Sequence, residues 1–190
     1  MPRSTALLVI DAQTALFAPA PRPWEANAVL QRIKLLAASA RTAGLPVVWV
    51  QHADEHSMQS GSPGWQLVQG LQAEPADYRV EKRTPDAFLH TPLQELLTAL
   101  QAEQLVVAGY ASEFCVDTTV RRAAALGWDV MLAADAHTTH DKPHASAQAI
   151  RAHENATLPA IRSFGRRIQA VNTADLCALI QDDAAADITP

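Results

Sequence analysis

Residues 105–119 read LVVAGYASEFCVDTT, and the change of pattern within this stretch decides the fold class. Its first five residues form a short apolar run typical of a strand buried in a sheet, and a helical pattern follows it. Cys115 lies where the strand gives way to the helix. A helix N-terminus presents unpaired N–H groups and partial positive charge, which favour the reactive thiolate. Cys115 is therefore a candidate nucleophile, and a small buried core residue is the alternative.

The same alternation of apolar runs and helical patterns extends along the chain. Helices are predicted over residues 24–43, 93–100, 118–126, 144–161 and 173–182, and strands over residues 6–10, 47–50, 78–82, 105–109, 130–135 and 167–171. Alternating strands and helices imply a parallel sheet with helices on both faces. The predicted fold class is α/β, a three-layer α/β/α sandwich around a mostly parallel sheet of about six strands.

Two segments depart from this alternation. Residues 53–77 are rich in Gly, Pro, Ser and Gln and predict a long loop, with a short helix near residues 65–71. A long loop in a compact domain is usually a lid or a binding segment. Residues 184–190 offer too few apolar side chains for burial and are predicted to be a frayed tail. Residues 1–183 are predicted to form one domain.

Composition and charge narrow the possible partners and location. The 190 residues carry a net charge of −5 from interspersed charges, which argues against a nucleic-acid or membrane surface as partner. The first apolar run ends at Asp11 and is too short for a signal peptide or a membrane span. Cys115 and Cys177 fit neither a disulfide framework nor a zinc-ligand spacing, and Cys177 lies in a helical pattern typical of core. A soluble, cytoplasmic protein is expected.

Three chemically useful side chains follow predicted strands. Asp11 ends the first strand, Lys82 ends the third, and Cys115 follows the fourth. Ligands of open α/β sheets bind beyond the carboxyl ends of strands, so these residues are expected to meet at one edge. A thiol, a carboxylate that takes its proton and an ammonium that favours thiolate suit acyl transfer. Taken singly, Asp11 could cap a turn and Lys82 could be a solvated charge.

The residues that carry these groups resemble a known family. The strand followed by Asp11-x-Gln13, Lys82 after a central strand, and residues 109–116 (GYASEFCV) are similar to the three signatures of the isochorismatase-like cysteine hydrolases. That family includes nicotinamidases, N-carbamoylsarcosine amidase, and ureidoacrylate or maleamate amidases. The similarity runs from about residue 7 to residue 171 in the same order.

The resemblance implies a Rossmann-like sandwich and a catalytic triad of Asp11, Lys82 and Cys115. It also implies a cis peptide bond between Tyr110 and Ala111, which would turn the Ala111 N–H toward the site. With the Cys115 N–H, this group would form an oxyanion hole. A homo-oligomer, either a dimer or a tetramer, is expected from the same resemblance.

The activity implied is hydrolysis of a small amide-type substrate through a thioester. Isochorismatases proper cleave a vinyl ether without a nucleophilic cysteine, so Cys115 favours C–N bond hydrolysis instead. The alternatives are a catalytically silent binding protein on the same fold and a nucleotide-binding oxidoreductase. The turn after the first strand, residues 11–16, contains no glycine and disfavours the oxidoreductase.

The expected pocket and metal chemistry follow from residues near the strand ends. Nicotinamidases hold a metal with an Asp-x-His pair and a later His, an order that His52, Asp54 and His56 do not match, so neither a metal nor another cofactor is expected. His137, in the segment after the fifth predicted strand, is expected to support the site without a catalytic role. Candidates for the substrate pocket, each with ordinary packing as the alternative, are Gln13, Phe17, His52, Trp65, Tyr110 and Phe114.

Overall fold

A computed structural model describes residues 4–186, with side chains described as far as residue 182. Six strands form one sheet in which every pairing is parallel, in the order β3-β2-β1-β4-β5-β6. The strands are β1 Thr5–Ile10, β2 Val47–His52, β3 Tyr78–Lys82, β4 Gln104–Tyr110, β5 Asp129–Thr138 and β6 Ile168–Val171. This sheet confirms the predicted parallel architecture.

Helices cover both faces of the sheet. They are α1 Thr14–Phe17, α2 Ala26–Thr42, α3 Leu93–Ala99, α4 Asp117–Leu126, α5 Ala147–Ala160 and α6 Thr173–Ala186, and a π-helical turn, Ser112–Val116, joins β4 to α4. One apolar core holds residues of α2 and α6, and a second core on the other face holds residues of α3, α4 and α5. The three-layer sandwich is therefore confirmed.

Strand β1 shows why the strands lack an alternating pattern. Ala6, Leu8 and Ile10 pack into the core beneath α3, α4 and α5, while Leu7 and Val9 pack into the core beneath α2 and α6. Both faces of a central parallel strand are covered by helices, so every position selects an apolar side chain.

The strand order reverses between β1 and β4. The connection that follows β1 crosses the sheet in one direction, and the connection that follows β4 crosses it in the other. This divergence opens a crevice at the carboxyl ends of the two strands. Ile10 and Gly109 are paired at that end of the two strands. Asp11 directly follows Ile10, and Tyr110 directly follows Gly109. Both residues therefore lie beside the crevice.

Several local predictions were inaccurate. No helix forms near residues 65–71; the segment holds turns at residues 65, 69 and 70 and a bend at residue 66, and Leu67 makes an isolated bridge to Gln13. Strand β5 runs on to Thr138, so His137 lies within the strand and not after it. Cys115 lies in the π-helical turn, ahead of the first turn of α4. The short helix α1 was missed.

The structure describes only part of the tail predicted over residues 184–190. Helix α6 extends to Ala186, beyond the predicted end at residue 182, while residues 187–190 lie outside the described residues. The domain boundary at residue 183 stays a prediction. Within the described part of the chain, no helix combines the length and apolar character needed to cross a membrane.

A substitution at Gly109 tests how closely the backbones of β1 and β4 approach each other. Its φ is +128°, and a Cβ there would overlap the Ile10 carbonyl group. Gly127, at φ +108°, has only the flexible Arg166 side chain near the same position. We expect Gly109→Ala to lower the free energy of unfolding by more than about 3 kcal/mol, since backbone must move to relieve the clash. Gly127→Ala should cost about 1–2 kcal/mol from its positive φ alone.

Urea denaturation followed by circular dichroism measures both variants. Equal losses in the two proteins would contradict a close approach of β1 and β4 at Gly109.

Candidate active site

The structure brings together the three residues that the sequence proposed for catalysis. Lys82 Nζ donates hydrogen bonds to Asp11 Oδ2 at 2.8 Å, to the Thr84 carbonyl at 3.1 Å and to Cys115 Sγ at 3.3 Å. Asp11 and Lys82 are each only 1% exposed. The lysine ammonium is therefore the centre of the site, in contact with both of the other groups.

Backbone contacts hold each group in place. Asp11 follows β1 with φ +49°, and its N–H donates to the Val50 carbonyl of β2 at 2.8 Å. The Lys82 carbonyl accepts from the Ala53 N–H at 2.8 Å, which ties the end of β3 to the start of the long loop. Strand β2 thus lies between the two charged residues and is bonded to the chain beside each of them.

The Cys115 thiol is neutral in this environment. Burial raises the pKa of Cys115 to about 12, the nearby Asp11 carboxylate acts in the same direction, and Lys82 opposes both. The sequence suggested that the ammonium would favour thiolate over thiol. Lys82 does act in that direction, but burial and Asp11 together outweigh it, so the net effect is a raised pKa for the Cys115 thiol.

The Tyr110–Ala111 peptide bond is cis, at the position implied by the family resemblance. The Ala111 carbonyl accepts hydrogen bonds from the N–H groups of Phe114 and Val116, each at 3.1 Å. These two residues flank Cys115, so the turn that carries the nucleophile is fastened on both sides of it.

Gln13 fastens the site and does not line an open pocket. Its fully buried side chain donates to the carbonyls of His52 and Trp65, both at 2.9 Å, and accepts from the His52 N–H at 2.8 Å. Gln51 also donates to the Trp65 carbonyl, at 2.8 Å. The pocket role expected for Gln13 is therefore replaced by a structural one, which anchors the loop that carries Trp65.

His52 and Trp65 are the half-buried members of the expected pocket with unmet hydrogen-bonding capacity. His52 Nδ1 and Trp65 Nε1 are buried, and neither has a partner among the side chains that the structure describes. Burial lowers the pKa of His52, and the Lys82 charge lowers it further. The imidazole is therefore neutral at pH 7, near enough to the triad to sense its charge.

The aromatic candidates separate into buried and exposed groups. Phe17 is fully buried with its ring centroid 5.8 Å from that of Tyr110, so it packs behind Tyr110. The Tyr110 hydroxyl lies 2.8 Å from His140 Nδ1, and His140 Nε2 lies 2.9 Å from the Pro21 carbonyl. Since that carbonyl can only accept, His140 Nε2 carries a proton and donates to it, and in a ring with this single proton Nδ1 accepts from the Tyr110 hydroxyl. Burial raises the pKa of Tyr110 to about 12, so its hydroxyl remains protonated.

Phe114 precedes the nucleophile but points outward. Its side chain is 54% exposed, and Lys142 Nζ lies 5.3 Å from its ring centroid. Lys142 also pairs with Glu113 at 3.1 Å, and Glu113 accepts from the Thr139 hydroxyl at 2.9 Å. Phe114 is therefore placed on the outer surface beside the site.

A buried polar chain behind the nucleophile was not foreseen from the sequence. Asn155 Nδ2 donates to the Ala134 carbonyl at 2.8 Å, which directs its Oδ1 toward His137 Nε2 at 3.0 Å. His137 Nε2 must then donate, and its Nδ1 accepts from the Ser112 hydroxyl at 2.8 Å. Burial lowers the pKa of His137 to about 4, so it is neutral. This position fits the expected supporting role of His137.

Of the candidate metal ligands His52, Asp54 and His56, Asp54 already accepts hydrogen bonds from the main chain. Asp54 Oδ1 accepts from the N–H groups of His56 and Met58, both at 2.8 Å, and so closes a turn. Among the side chains that the structure describes, no group of three or more His, Cys, Asp or Glu residues is arranged to hold a metal ion.

His137 makes stability depend on pH. Its folded pKa is depressed from 6.5 to about 4, so its contribution is present above pH 6.5 and is lost as the pH falls through 4. We expect the difference in unfolding free energy between the wild type and His137→Gln to shrink by about 3 kcal/mol between pH 7 and pH 4. Burial and Asp117 raise the pKa of Glu154 to about 7, which acts in the opposite sense but equally in both proteins.

The unfolding free energies of the wild type and the His137→Gln protein are measured by urea denaturation at several pH values in this range. Parallel stability curves for the two proteins would rule out a buried neutral His137.

Two curated proteins are similar to part of this chain. A streptothricin hydrolase of Streptomyces noursei is 42% identical over 142 residues, which cover 74% of this chain and 51% of that protein. The chain thus spans about half the length of that relative. The ureidoacrylate amidohydrolase RutB of Methylobacterium radiotolerans is 29% identical over 158 residues, covering 63% of this chain and 61% of RutB.

Solved structures and a family model extend the match. The crystal structure of an isochorismatase family protein superposes with a TM-score of 0.81 at 32% identity, covering 90% of this chain and 100% of that one. The isochorismatase domain model matches residues 5–163, from β1 to just beyond α5. The chain belongs to the isochorismatase family.

Proposed function

We propose that the protein is a cysteine-dependent hydrolase that cleaves a C–N bond of a small amide-type substrate through a thioester. The observation that carries this proposal is the buried Lys82 ammonium, which contacts both the Asp11 carboxylate and the Cys115 sulfur. A nucleophile and a proton acceptor are then both within hydrogen-bond reach of a cation that offsets negative charge.

The first step follows from the protonation state of the site. Because the resting thiol is neutral, Asp11 accepts its proton as Sγ attacks the substrate carbonyl. Asp11 Oδ1 is buried and has no hydrogen-bond partner among the described residues, so it is free to take that proton. Lys82 stays bonded to Oδ2 and to sulfur, and it stabilises negative charge on sulfur during the transfer.

The remaining steps reuse the same groups. We assign the N–H groups of Ala111 and Cys115 to the tetrahedral oxyanion, where loss of one such donor typically costs about 3–4 kcal/mol. Asp11 then gives its proton to the leaving nitrogen, and the C–N bond breaks to leave the thioester. Asp11 next removes a proton from water as it attacks the thioester, and returns that proton to sulfur as the acid leaves.

The relatives support a hydrolytic reaction on a C–N bond. RutB is named an amidohydrolase, and the S. noursei relative is named a hydrolase of streptothricin. Streptothricin and small ureido acids are therefore the first substrates to test. The cytoplasmic location and the dimer or tetramer stay predictions.

A catalytically silent binding protein is the second candidate. It is favoured by the neutral thiol, since a high pKa suppresses the thiolate, which is the nucleophilic form of cysteine. The two candidates differ in whether Cys115 turns over substrate, and the experiments below separate them.

Replacing Cys115 should abolish turnover. We expect Cys115→Ala to lower the rate of ammonia or amine release by at least roughly 10⁴-fold, because the attacking atom is removed. The substrates are streptothricin and a panel of small amides, carbamoyl compounds and ureides. Cys177→Ser is the matched control and should keep full activity, since Cys177 lies on α6 and packs against the core on the other face of the sheet. Comparable activity in the Cys115→Ala and wild-type proteins would refute the nucleophile.

Replacing Asp11 should speed alkylation of Cys115 but abolish turnover. In a Cys177→Ser background, we expect Asp11→Asn to speed alkylation of Cys115 by iodoacetamide at pH 8, because it removes a charge that raises the thiol pKa. Lys82→Met should slow alkylation, because it removes a charge that lowers that pKa. Both variants should lose turnover.

Alkylation is followed by mass spectrometry, and circular dichroism checks that each variant is folded. Slower alkylation of a folded Asp11→Asn protein would contradict the proposed electrostatics.

A further inference from the structure

A second concave surface lies far from the triad. A cleft of about 430 Å³ is formed by the end of α5, the turn that follows and the start of β6. Its lining includes Arg162, Arg166 and Arg167 over an apolar floor of Ile161 and Ile168. We call this the arginine cleft. Because the turn precedes a parallel strand, the cleft lies at the amino-terminal edge of the sheet, opposite the carboxyl-end edge that holds the triad.

The charge in the arginine cleft is unbalanced. No Asp or Glu lines it, and none of its three guanidinium groups forms an ion pair with a carboxylate among the side chains that the structure describes. The protein as a whole has a net charge of −5. Elsewhere, most arginines in the folded chain pair with carboxylates, including Arg32, Arg41, Arg121 and Arg151. Three unpaired guanidinium groups within six residues are therefore an exception on this surface.

The backbone explains how the three side chains come together. The Gly165 N–H donates to the Arg162 carbonyl at 3.2 Å, and Gly165 has φ +68°. This tight turn sets Arg162 on one side and Arg166 and Arg167 on the other. The buried carboxylate of Asp129 contacts the turn and accepts from the Arg167 main-chain N–H at 2.9 Å.

Helix ends offer a simpler explanation for part of this arrangement. The Arg166 guanidinium reaches the C-terminal end of α4, where its Nη2 lies 3.9 Å from the place of a Cβ on Gly127. Carbonyl groups at a helix C-terminus attract a cation. That attraction accounts for Arg166 alone, and it leaves the convergence of Arg162 and Arg167 on the same cleft unexplained.

We propose that the arginine cleft binds a small molecule through a multiply charged phosphate group. The planar guanidinium fork matches phosphate oxygens in pairs, and three forks suit more than one phosphate. The volume lies in the range of small-molecule sites, and the apolar floor suits a non-polar portion of the ligand. This site is separate from the triad and does not depend on the hydrolase proposal.

Calorimetric titration with inorganic pyrophosphate tests the proposal. We expect the wild type to bind pyrophosphate with a submillimolar Kd, and Arg162→Gln/Arg166→Gln/Arg167→Gln to bind at least tenfold more weakly. Arg79→Gln is the matched control, because Arg79 is exposed on β3, outside the cleft, and it should bind as the wild type does. Ionic strength is held constant with sodium chloride. If the triple variant does not fold, Arg162→Gln alone must weaken binding.

Three outcomes would overturn the proposal. The first is no pyrophosphate binding by the wild type. The second is equal affinity in the wild type and the folded cleft variant, which would leave the arginines with only a stabilising role at the helix ends. The third is binding of a single-stranded oligonucleotide without binding of pyrophosphate.

Discussion

The buried ion pair between Lys82 and Asp11 is the constraint on which the rest of the site depends. Two charges removed from water are stable together only when each is closely paired, and here Nζ and Oδ2 are 2.8 Å apart with both residues 1% exposed. Loss of either partner would leave an uncompensated buried charge, typically at a cost of about 3–5 kcal/mol. Asp11 follows β1 and Lys82 ends β3, so their contact requires that β2 end in register between them.

The same pair sets the chemistry of the thiol. The Cys115 thiol lies next to both the Lys82 cation and the Asp11 anion. Burial and the anion both raise the pKa of the thiol, and the cation lowers it. The resting sulfur is therefore protonated and protected from the oxidation that thiolates undergo. In the proposed mechanism, attack becomes favourable only when a bound carbonyl lets proton transfer to Asp11 and bond formation proceed together. That coupling would give selectivity for substrate over other electrophiles.

The sequence predicted the parallel sandwich well, and it also suggested the meeting of Asp11, Lys82 and Cys115. Buried strands produce unbroken apolar runs, and functional residues of an open sheet follow those runs, so a linear pattern carries this information. The roles of Gln13 and Ser112 could not be predicted in this way. Gln13 acts through backbone groups of residues 52 and 65, and Ser112 acts through His137 and Asn155, contacts that only the folded chain defines. No feature of the linear pattern indicates that Phe17 is enclosed while Phe114 faces solvent.

The central claim, a thioester on Cys115, is tested most directly by partitioning with hydroxylamine. Two substrates that share an acyl group, a primary amide and its N-methyl amide, are hydrolysed in the presence of hydroxylamine, and the ratio of hydroxamate to acid is measured. A common thioester predicts the same ratio from both substrates, because the leaving amine has departed before water or hydroxylamine attacks. Ratios that change with the leaving amine would contradict a thioester intermediate.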